Sequence, residues 1–145
     1  MFDIVVVGAD DSLTARRAIE AATELVAMSG GQLHIVSAVE SSAKSYEKVP
    51  EAFRYFGPDG ETEALLQTLS FIPKKRGVEP TMHAVEGDPA EAIIAIAERV
   101  NADLIVVGNK GMRGVRRVLG SVPNTVAHGA PCSVAIIDTN EEPSS

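Results

Sequence analysis

The hydrophobic positions of this chain follow two different periods. Five short runs are typical of strands, and the runs 2–7 and 104–107 are almost continuously apolar, which favours strands buried on both faces. Between the runs, apolar residues recur every three or four positions, as they do on one face of a helix. We predict strands at 2–7, 33–39, 81–85, 104–107 and 133–137, and helices after Ser12, over 61–76, from Pro89 and over 121–128.

Local signals support several of these element ends. Asp88-Pro89-Ala90-Glu91 predicts a helix start, with Asp as the N-cap, Pro at the first position and Glu completing a capping box. The segment 10–12 (Asp-Asp-Ser) offers N-cap chemistry to the first helix, and Gly30-Gly31 ends that helix. The stretch 40–60 has no clear period and holds four of the six aromatic residues, so it predicts a long loop whose aromatic side chains cover the edges of the core.

The alternation of strands and helices predicts an α/β domain over 1–138, followed by a flexible polar tail at 139–145. We expect a Rossmann-like, open, doubly wound, five-stranded parallel sheet with right-handed crossovers. Ligands of such sheets bind at the carboxyl ends of strands, where the strand order reverses. The segments after the first and fourth strands, Gly8 to Ser12 and Gly108 onward, are therefore expected to form one site.

Composition narrows the classes of function. The 145 residues are 45% hydrophobic and carry a formal net charge of −7, which fits a globular protein and argues against nucleic acid or an anionic membrane as partners. One cysteine excludes an internal disulfide framework and a multi-cysteine zinc site. The first residues form no basic region of a signal peptide and no apolar run reaches the ~20 residues of a spanning helix, so we expect a cytoplasmic protein.

The average charge conceals a basic segment. Residues 108–117 contain four basic side chains and no acidic one, so they carry +4 and leave −11 on the rest of a chain whose total is −7. Four of the twelve glycines lie between 108 and 120. Glycine allows backbone N–H groups to approach a phosphate, and the helix predicted from Ser121 would add its positive N-terminus. The segment favours a phosphate-binding loop, in which Lys110 and Arg113 add positive charge. The alternative is a glycine-rich turn whose basic side chains only face solvent.

Two stretches, at 106–111 and 119–123, resemble those of a known family. Val106-Val107-Gly108-Asn109-Lys110-Gly111 and Leu119-Gly120-Ser121-Val122-Pro123 resemble the nucleotide-binding signature of the universal stress protein family. Ala9-Asp10-Asp11-Ser12, Gly87-Asp88-Pro89 and residues 130–134 agree with it, so the resemblance covers nearly the whole chain. It implies a strand order of 3-2-1-4-5, ATP binding with or without Mg²⁺, a role in stress response, and a homodimer formed through the fifth strand, Ser133 to Ile137.

The resemblance also implies nucleotide-binding roles for twelve residues. Asp10 would contact adenine or ribose, and Ala38 would touch the adenine. Gly108 and Gly111 would approach the ribose and phosphates, while the Ser121 hydroxyl and the backbone N–H groups of 120–122 would hold the β- and γ-phosphates. The implied set is Gly8, Ala9, Asp10, Ala38, Val107, Gly108, Lys110, Gly111, Arg113, Gly120, Ser121 and Val122.

Two features depart from the family's ATP-binding pattern, G-x2-G-x9-G-[ST]. Eight residues separate Gly111 from Gly120, where the pattern has nine. The small residues Gly8-Ala9 also offer less side-chain surface to line a site than branched residues would. A nucleotide-free interaction protein of the same fold and a slow ATPase therefore stay open as alternatives. We identify no nucleophile with a base and an orienting group, so no catalytic residue is expected.

Other nucleotide and metal sites fit less well. The acidic pair at 10–11 suits the Mg²⁺ site of a response-regulator receiver, but the third and fifth strands end at Glu86 and Asp138 and supply neither the phosphoacceptor Asp nor the Lys. No Rossmann fingerprint follows the first strand, and no P-loop occurs. The three histidines do not have the spacing of metal ligands. We predict that His34 and His83 are strand residues and that His128 lies at a helix end. We expect Cys132 to pack in the core as a small hydrophobic residue.

Overall fold

The computed structural model describes residues 2–9, 13–39, 61–109 and 121–138. Within these ranges strands and helices alternate in the predicted order. The strands are β1 (Ile4–Gly8), β2 (Gln32–Val39), β3 (Thr81–Glu86), β4 (Leu104–Gly108) and β5 (Ser133–Ile137). The helices are α1 (Leu13–Ser29), α2 (Glu61–Lys74), α3 (Pro89–Val100) and α4 (Ser121–Gly129).

The strands form one parallel sheet in the order β3-β2-β1-β4-β5, which confirms the predicted fold class, strand order and edge position of β3. In the centre, Val5 of β1 lies opposite Leu104 of β4, and Val7 lies opposite Val106. From β1 the chain proceeds to β2 and β3 on one side, whereas β4 and β5 lie on the other. The strand order therefore reverses between β1 and β4.

Strand β1 is buried on both faces, as its apolar run predicts. Val5, Val6 and Val7 have no exposed surface. Because side chains alternate along a strand, Val5 and Val7 join the core covered by α1 and α2, and Val6 joins the core covered by α3 and α4. The sheet is thus the middle layer of three, with a separate core on each side.

Specific hydrogen bonds set several element ends. Asp88 Oδ2 accepts from the Glu91 N–H at 3.1 Å, which confirms the predicted N-cap of α3. Strand β1 begins at Ile4, two residues later than predicted, and the Asp103 carboxylate accepts the N–H groups of Asp3 at 3.0 Å and Ile4 at 3.3 Å. The chain start is thereby fastened to the residue that precedes β4.

Two predicted helix ends were wrong. Helix α2 ends at Lys74 and not at residue 76, because a turn with Gly77 at φ +76° follows it. Helix α4 continues through Gly129, which was expected to stop it. A Cβ at Gly129 would lie 3.0 Å from Ile94 Cδ1, so this glycine allows α4 to pack closely against α3.

Four predicted features lie outside the described residues. They are the N-cap segment 10–12, the aromatic loop 40–60, the glycine-rich segment 110–120 and the tail 139–145. Among the helices that are described, none is both long enough and apolar enough to cross a bilayer.

Two histidines meet on the α3 side of the sheet. They share the face of Val36, which packs in the core under α3. His34 Nδ1 lies 2.9 Å from His83 Nε2, and His34 Nε2 lies 3.3 Å from Gln32 Oε1. Because the Gln32 oxygen only accepts, we assign a proton to His34 Nε2, and His83 Nε2 then donates to His34 Nδ1. Both predicted strand histidines are thus in strands, joined as a neutral pair.

This histidine pair predicts a loss of stability in acid. Burial lowers the pKa of both imidazoles, and for His83 burial, the neighbouring His34 and the charge of Arg99 lower the pKa to about 4. An unfolded imidazole titrates near 6.5, so between pH 6.5 and 4 the unfolded chain binds more protons than the folded one. The free energy of unfolding should therefore fall as the pH falls through this window.

Urea unfolding at pH 7, 6 and 5 measures this slope. We expect His83→Gln to flatten it, because the buried titrating group is gone. The matched control is His128→Gln at the exposed end of α4, which should keep the wild-type slope. Equal slopes for wild type and His83→Gln would contradict the assignment.

The close contact between Gly31 and the backbone of Asp3 leads to a second prediction on the free energy of unfolding. A Cβ at this residue would collide with the backbone of Asp3, reaching the carbonyl carbon at 2.7 Å, with the carbonyl oxygen nearer still. The Gln32 N–H donates to that oxygen at 2.7 Å, so the two segments cannot separate without losing a hydrogen bond. We expect Gly31→Ala to lower the free energy of unfolding by about 3 kcal/mol. Gly77→Ala, which meets no atom within 4 Å but has φ +76°, should cost only about 1 kcal/mol. Urea titration of both variants checks the order, and a smaller loss for Gly31→Ala would refute it.

Candidate functional site

The carboxyl edge of the sheet between β1 and β4 is the candidate site. Gly8 ends β1 and lies opposite Val36 of β2, while Gly108 ends β4 and lies opposite Ile137 of β5. Helix α1, which follows β1, packs on one face of the sheet, and α4, which follows β4, packs on the other. A reversal of strand order of this kind is where open α/β sheets usually bind ligands.

Small residues occupy the strand ends on the β1 side. The Ala9 N–H donates to the Val36 carbonyl at 2.8 Å, which holds the first residue after β1 against β2. Ala38 lies near the end of β2 and is half-buried. A Cβ at Gly8 would collide with Ile93 of α3, whose Cγ1 would be 3.2 Å away. Packing under α3 therefore already favours glycine at this strand end, before any ligand is considered.

The end of β4 is held more tightly. Val107 is buried in the core under α3, and Gly108 is half-buried. Asn109 is 2% exposed; its backbone N–H donates to the Ile137 carbonyl at 3.1 Å, and its side-chain Nδ2 donates to Asp138 Oδ1 at 3.0 Å. The first residue after β4 is thus fastened to the end of β5 through both backbone and side chain.

Helix α4 begins at Ser121, and its Val122 packs in the core under α3. The helix connects β4 to β5, and these strands are parallel, so α4 runs back across the sheet. Its N-terminus therefore starts on the side of the carboxyl edge. The backbone N–H groups of a first helical turn are free of intrahelical partners and favour an anion.

The predicted binding residues divide into two groups. The structure places four of them, Gly8, Ala38, Val107 and Gly108, on the three neighbouring strands β1, β2 and β4. Ala9 directly follows β1, and Val122 lies in the first turn of α4. Lying outside the described residues are Asp10, Lys110, Gly111, Arg113, Gly120 and the side chain of Ser121. The roles of all twelve remain predictions.

Asn109 is the residue that sequence reasoning passed over. Its only signal is a polar residue placed between a buried strand and a glycine-rich segment. Its partner Asp138 lies 29 positions away, and no local pattern links the two.

The amino edge of the sheet offers different chemistry. Cys132, just before β5, is half-buried against the core under α3, in line with its predicted packing role. Burial and the nearby Asp103 carboxylate raise the pKa of this thiol, so it stays protonated at neutral pH and is a poor nucleophile. The described ranges contain no group of three or more His, Cys, Asp or Glu side chains able to hold a metal ion.

Comparison with known proteins agrees with this architecture. A protein of Staphylococcus epidermidis named as a universal stress protein is 30% identical over 142 residues, which span 96% of this chain and 86% of that protein. A crystal structure of a universal stress protein in complex with cAMP is 31% identical, with a TM-score of 0.80, and covers 96% of this chain and 99% of its own.

A third protein shares the fold at lower identity. The structure of the universal stress protein from Archaeoglobus fulgidus in complex with dAMP is 23% identical, has a TM-score of 0.71, and covers 95% of this chain and 98% of its own. The model of the family described as "Universal stress protein family" matches residues 1–138. This match, together with the 3-2-1-4-5 sheet, shows that the chain belongs to the universal stress protein family.

Proposed function

We propose that this protein binds ATP at the carboxyl ends of β1 and β4 and acts as a nucleotide-responsive regulatory protein in stress response. The observation that carries the proposal is the set of small residues at three adjoining strand ends: Gly8 and Ala9, Ala38, and Gly108. None of these four residues has a side chain larger than a methyl group, so a planar base and its ribose can approach the backbone beside them.

Adenine nucleotide binding by a relative supports nucleotide binding by this chain. The 31% identical protein forms a complex with cAMP, so an adenine nucleotide fits a member with this fold. In the proposed arrangement the adenine lies toward Ala38 and Asp10, and the ribose lies toward Gly108.

The phosphates of ATP would extend toward the basic segment. Residues 108–117 carry +4, and the N–H groups of the first turn of α4 follow them. A compact polyphosphate can use this local charge and these amides, whereas the −11 on the rest of the chain repels an extended polyanion. Lys110 and Arg113 would add charge, and Mg²⁺, where it is present, would be held by the phosphates. The same charge distribution disfavours nucleic acid and membranes as partners.

One sequence feature favours a second candidate. The eight residues between Gly111 and Gly120, one fewer than the family's ATP-binding pattern, would suit a member that keeps the fold and acts only by protein interaction. In either case we expect a cytoplasmic protein whose domain spans 1–138. Slow ATP hydrolysis is a third outcome, measured as phosphate release with and without Mg²⁺.

Calorimetric titration with ATP, AMP and cAMP tests the nucleotide site. We expect micromolar binding to the wild-type chain and a loss of roughly 100-fold in Gly111→Asp and in Ser121→Asp, because a carboxylate placed against phosphate costs several kcal/mol. The control Gln67→Glu adds the same charge on the exposed surface of α2 and should bind as wild type.

Two results would refute the proposal. Micromolar binding retained by both carboxylate variants would show that the site lies elsewhere. A wild-type chain that binds none of the three nucleotides would favour the nucleotide-free interaction protein.

We also propose a homodimer through β5. This strand is an edge of the sheet, and its apolar residues Val134, Ala135, Ile136 and Ile137 are all half-buried. The Ile137 carbonyl accepts from Asn109 on the β4 side. Backbone polar groups alternate in direction along a strand, so the Ile136 N–H points away from β4. An outward row of N–H and C=O groups with apolar neighbours is suited to pairing with a second copy.

Substitution of Ile136 tests this interface. Ile136→Pro removes an outward N–H without removing a hydrogen bond to β4, so we expect a folded monomer. Ile136→Ala loses similar packing but keeps the N–H and should remain a dimer. Light scattering after size-exclusion chromatography measures the mass of each variant. A monomeric wild-type chain, or a dimeric Ile136→Pro, would contradict the proposal.

A further inference from the structure

We propose that His34 and His83 form a two-histidine binding site for a divalent first-row cation, either Ni²⁺ or Cu²⁺. The two residues lie within β2 and β3, on the α3 side of the sheet, and not among the residues of the proposed nucleotide site. They are 49 positions apart and meet only through the register of these strands. For that reason the spacing of the histidines along the sequence gives no sign of the site.

The distance between the two ring nitrogens suits particular cations. His34 Nδ1 lies 2.9 Å from His83 Nε2. Two metal–nitrogen bonds of about 2.0–2.1 Å that meet at a right angle place their nitrogens about 2.9 Å apart, whereas a tetrahedral angle requires about 3.3 Å. Right angles are typical of tetragonal and octahedral coordination. The separation therefore favours Ni²⁺ or Cu²⁺ over Zn²⁺, which prefers a tetrahedron.

His34 provides a ligand that is already oriented. It is 7% exposed, and in the tautomer assigned above its Nε2–H donates to Gln32 Oε1 at 3.3 Å. The lone pair of Nδ1 therefore faces His83. Metal-binding histidines typically donate their second ring N–H to an oxygen acceptor in this way, which fixes both the tautomer and the ring orientation.

His83 is the adjustable partner. It is half-buried on β3, an edge strand, so solvent reaches it from the side of the sheet. The ring centroids of the two histidines are 5.2 Å apart, so the two nitrogens point at each other along their hydrogen bond. To bind a cation, His83 takes the tautomer with its proton on Nδ1, and its ring turns until the Nε2 lone pair meets the cation. During this turn Nε2 can stay 2.9 Å from His34 Nδ1.

Two features limit the affinity of the site. Two protein ligands leave the other coordination positions to water. Arg99 is near enough for its charge to contribute to the lowered pKa of His83, and the same charge opposes a cation. We therefore expect an exchangeable site with micromolar affinity. A bound cation would link β2 to the edge strand β3 and so stabilise the folded chain.

Calorimetric titration of the untagged chain with NiCl₂ at pH 7, without nucleotide, tests the site. We expect one equivalent to bind, and a loss of roughly 100-fold in His83→Gln, because a single histidine lacks the gain of a second linked ligand. The control His128→Gln removes an exposed histidine at the end of α4 and should bind as wild type. Gln32→Leu removes the acceptor that orients His34 and should weaken binding roughly tenfold, whereas Gln32→Glu keeps an acceptor oxygen and should retain binding.

Pulsed electron paramagnetic resonance of the wild-type chain with one equivalent of Cu²⁺ gives a second readout, which does not depend on the folding of any variant. We expect the nitrogen modulation of two coordinated imidazoles, and of at most one in His83→Gln. A wild-type spectrum with one imidazole or none overturns the proposal. Equal Ni²⁺ affinities for wild type and His83→Gln, or a wild-type chain that binds no Ni²⁺, overturn it as well. A loss confined to the His83 and Gln32→Leu variants, beside two imidazoles on Cu²⁺, supports it.

Discussion

The structure depends on the burial of both faces of β1. Three consecutive valines, Val5, Val6 and Val7, exclude water entirely, and alternate side chains belong to different cores. Apolar surface on both sides of a strand must be covered on both sides, because each exposed face would cost hydrophobic free energy. The chain meets this requirement with α1 and α2 on one side and α3 and α4 on the other. The three-layer architecture follows from that pattern.

The reversal of strand order between β1 and β4 is a consequence of the same arrangement. With β2 on one side of β1 and β4 on the other, the helices that follow β1 and β4 pack on opposite faces of the sheet. Small residues at the carboxyl ends of these strands have more than one cause. Ile93 of α3 already occupies the space that a side chain at Gly8 would need, so helix packing alone favours glycine at this position. Its presence there is not by itself a sign of a ligand.

The sequence was most informative where a feature is local. The valine run of β1 and the Asp88 cap of α3 both follow from neighbouring residues and were predicted. Contacts between distant residues had no such signal. His34 and His83 are 49 positions apart, and their pairing depends on the register of β2 and β3. Gly129 illustrates a misread local signal, since its role is to admit Ile94 rather than to end α4. The candidate site was predicted from topology, from the basic glycine-rich segment and from the family resemblance, and that segment lies outside the described residues.

The bond between Asp103 and the start of β1 spans 100 residues of sequence. The β1–β4 ladder beside it joins segments equally far apart, so the middle of the sheet has a high contact order, and a long loop must close before these contacts contribute. The strands β1, β2 and β3 can associate from the first part of the chain, and β4 and β5 from the last part. A ligand held across the central seam would bind only after the two parts have joined. By mass action it would then stabilise the completed sheet against partly folded forms of the same chain.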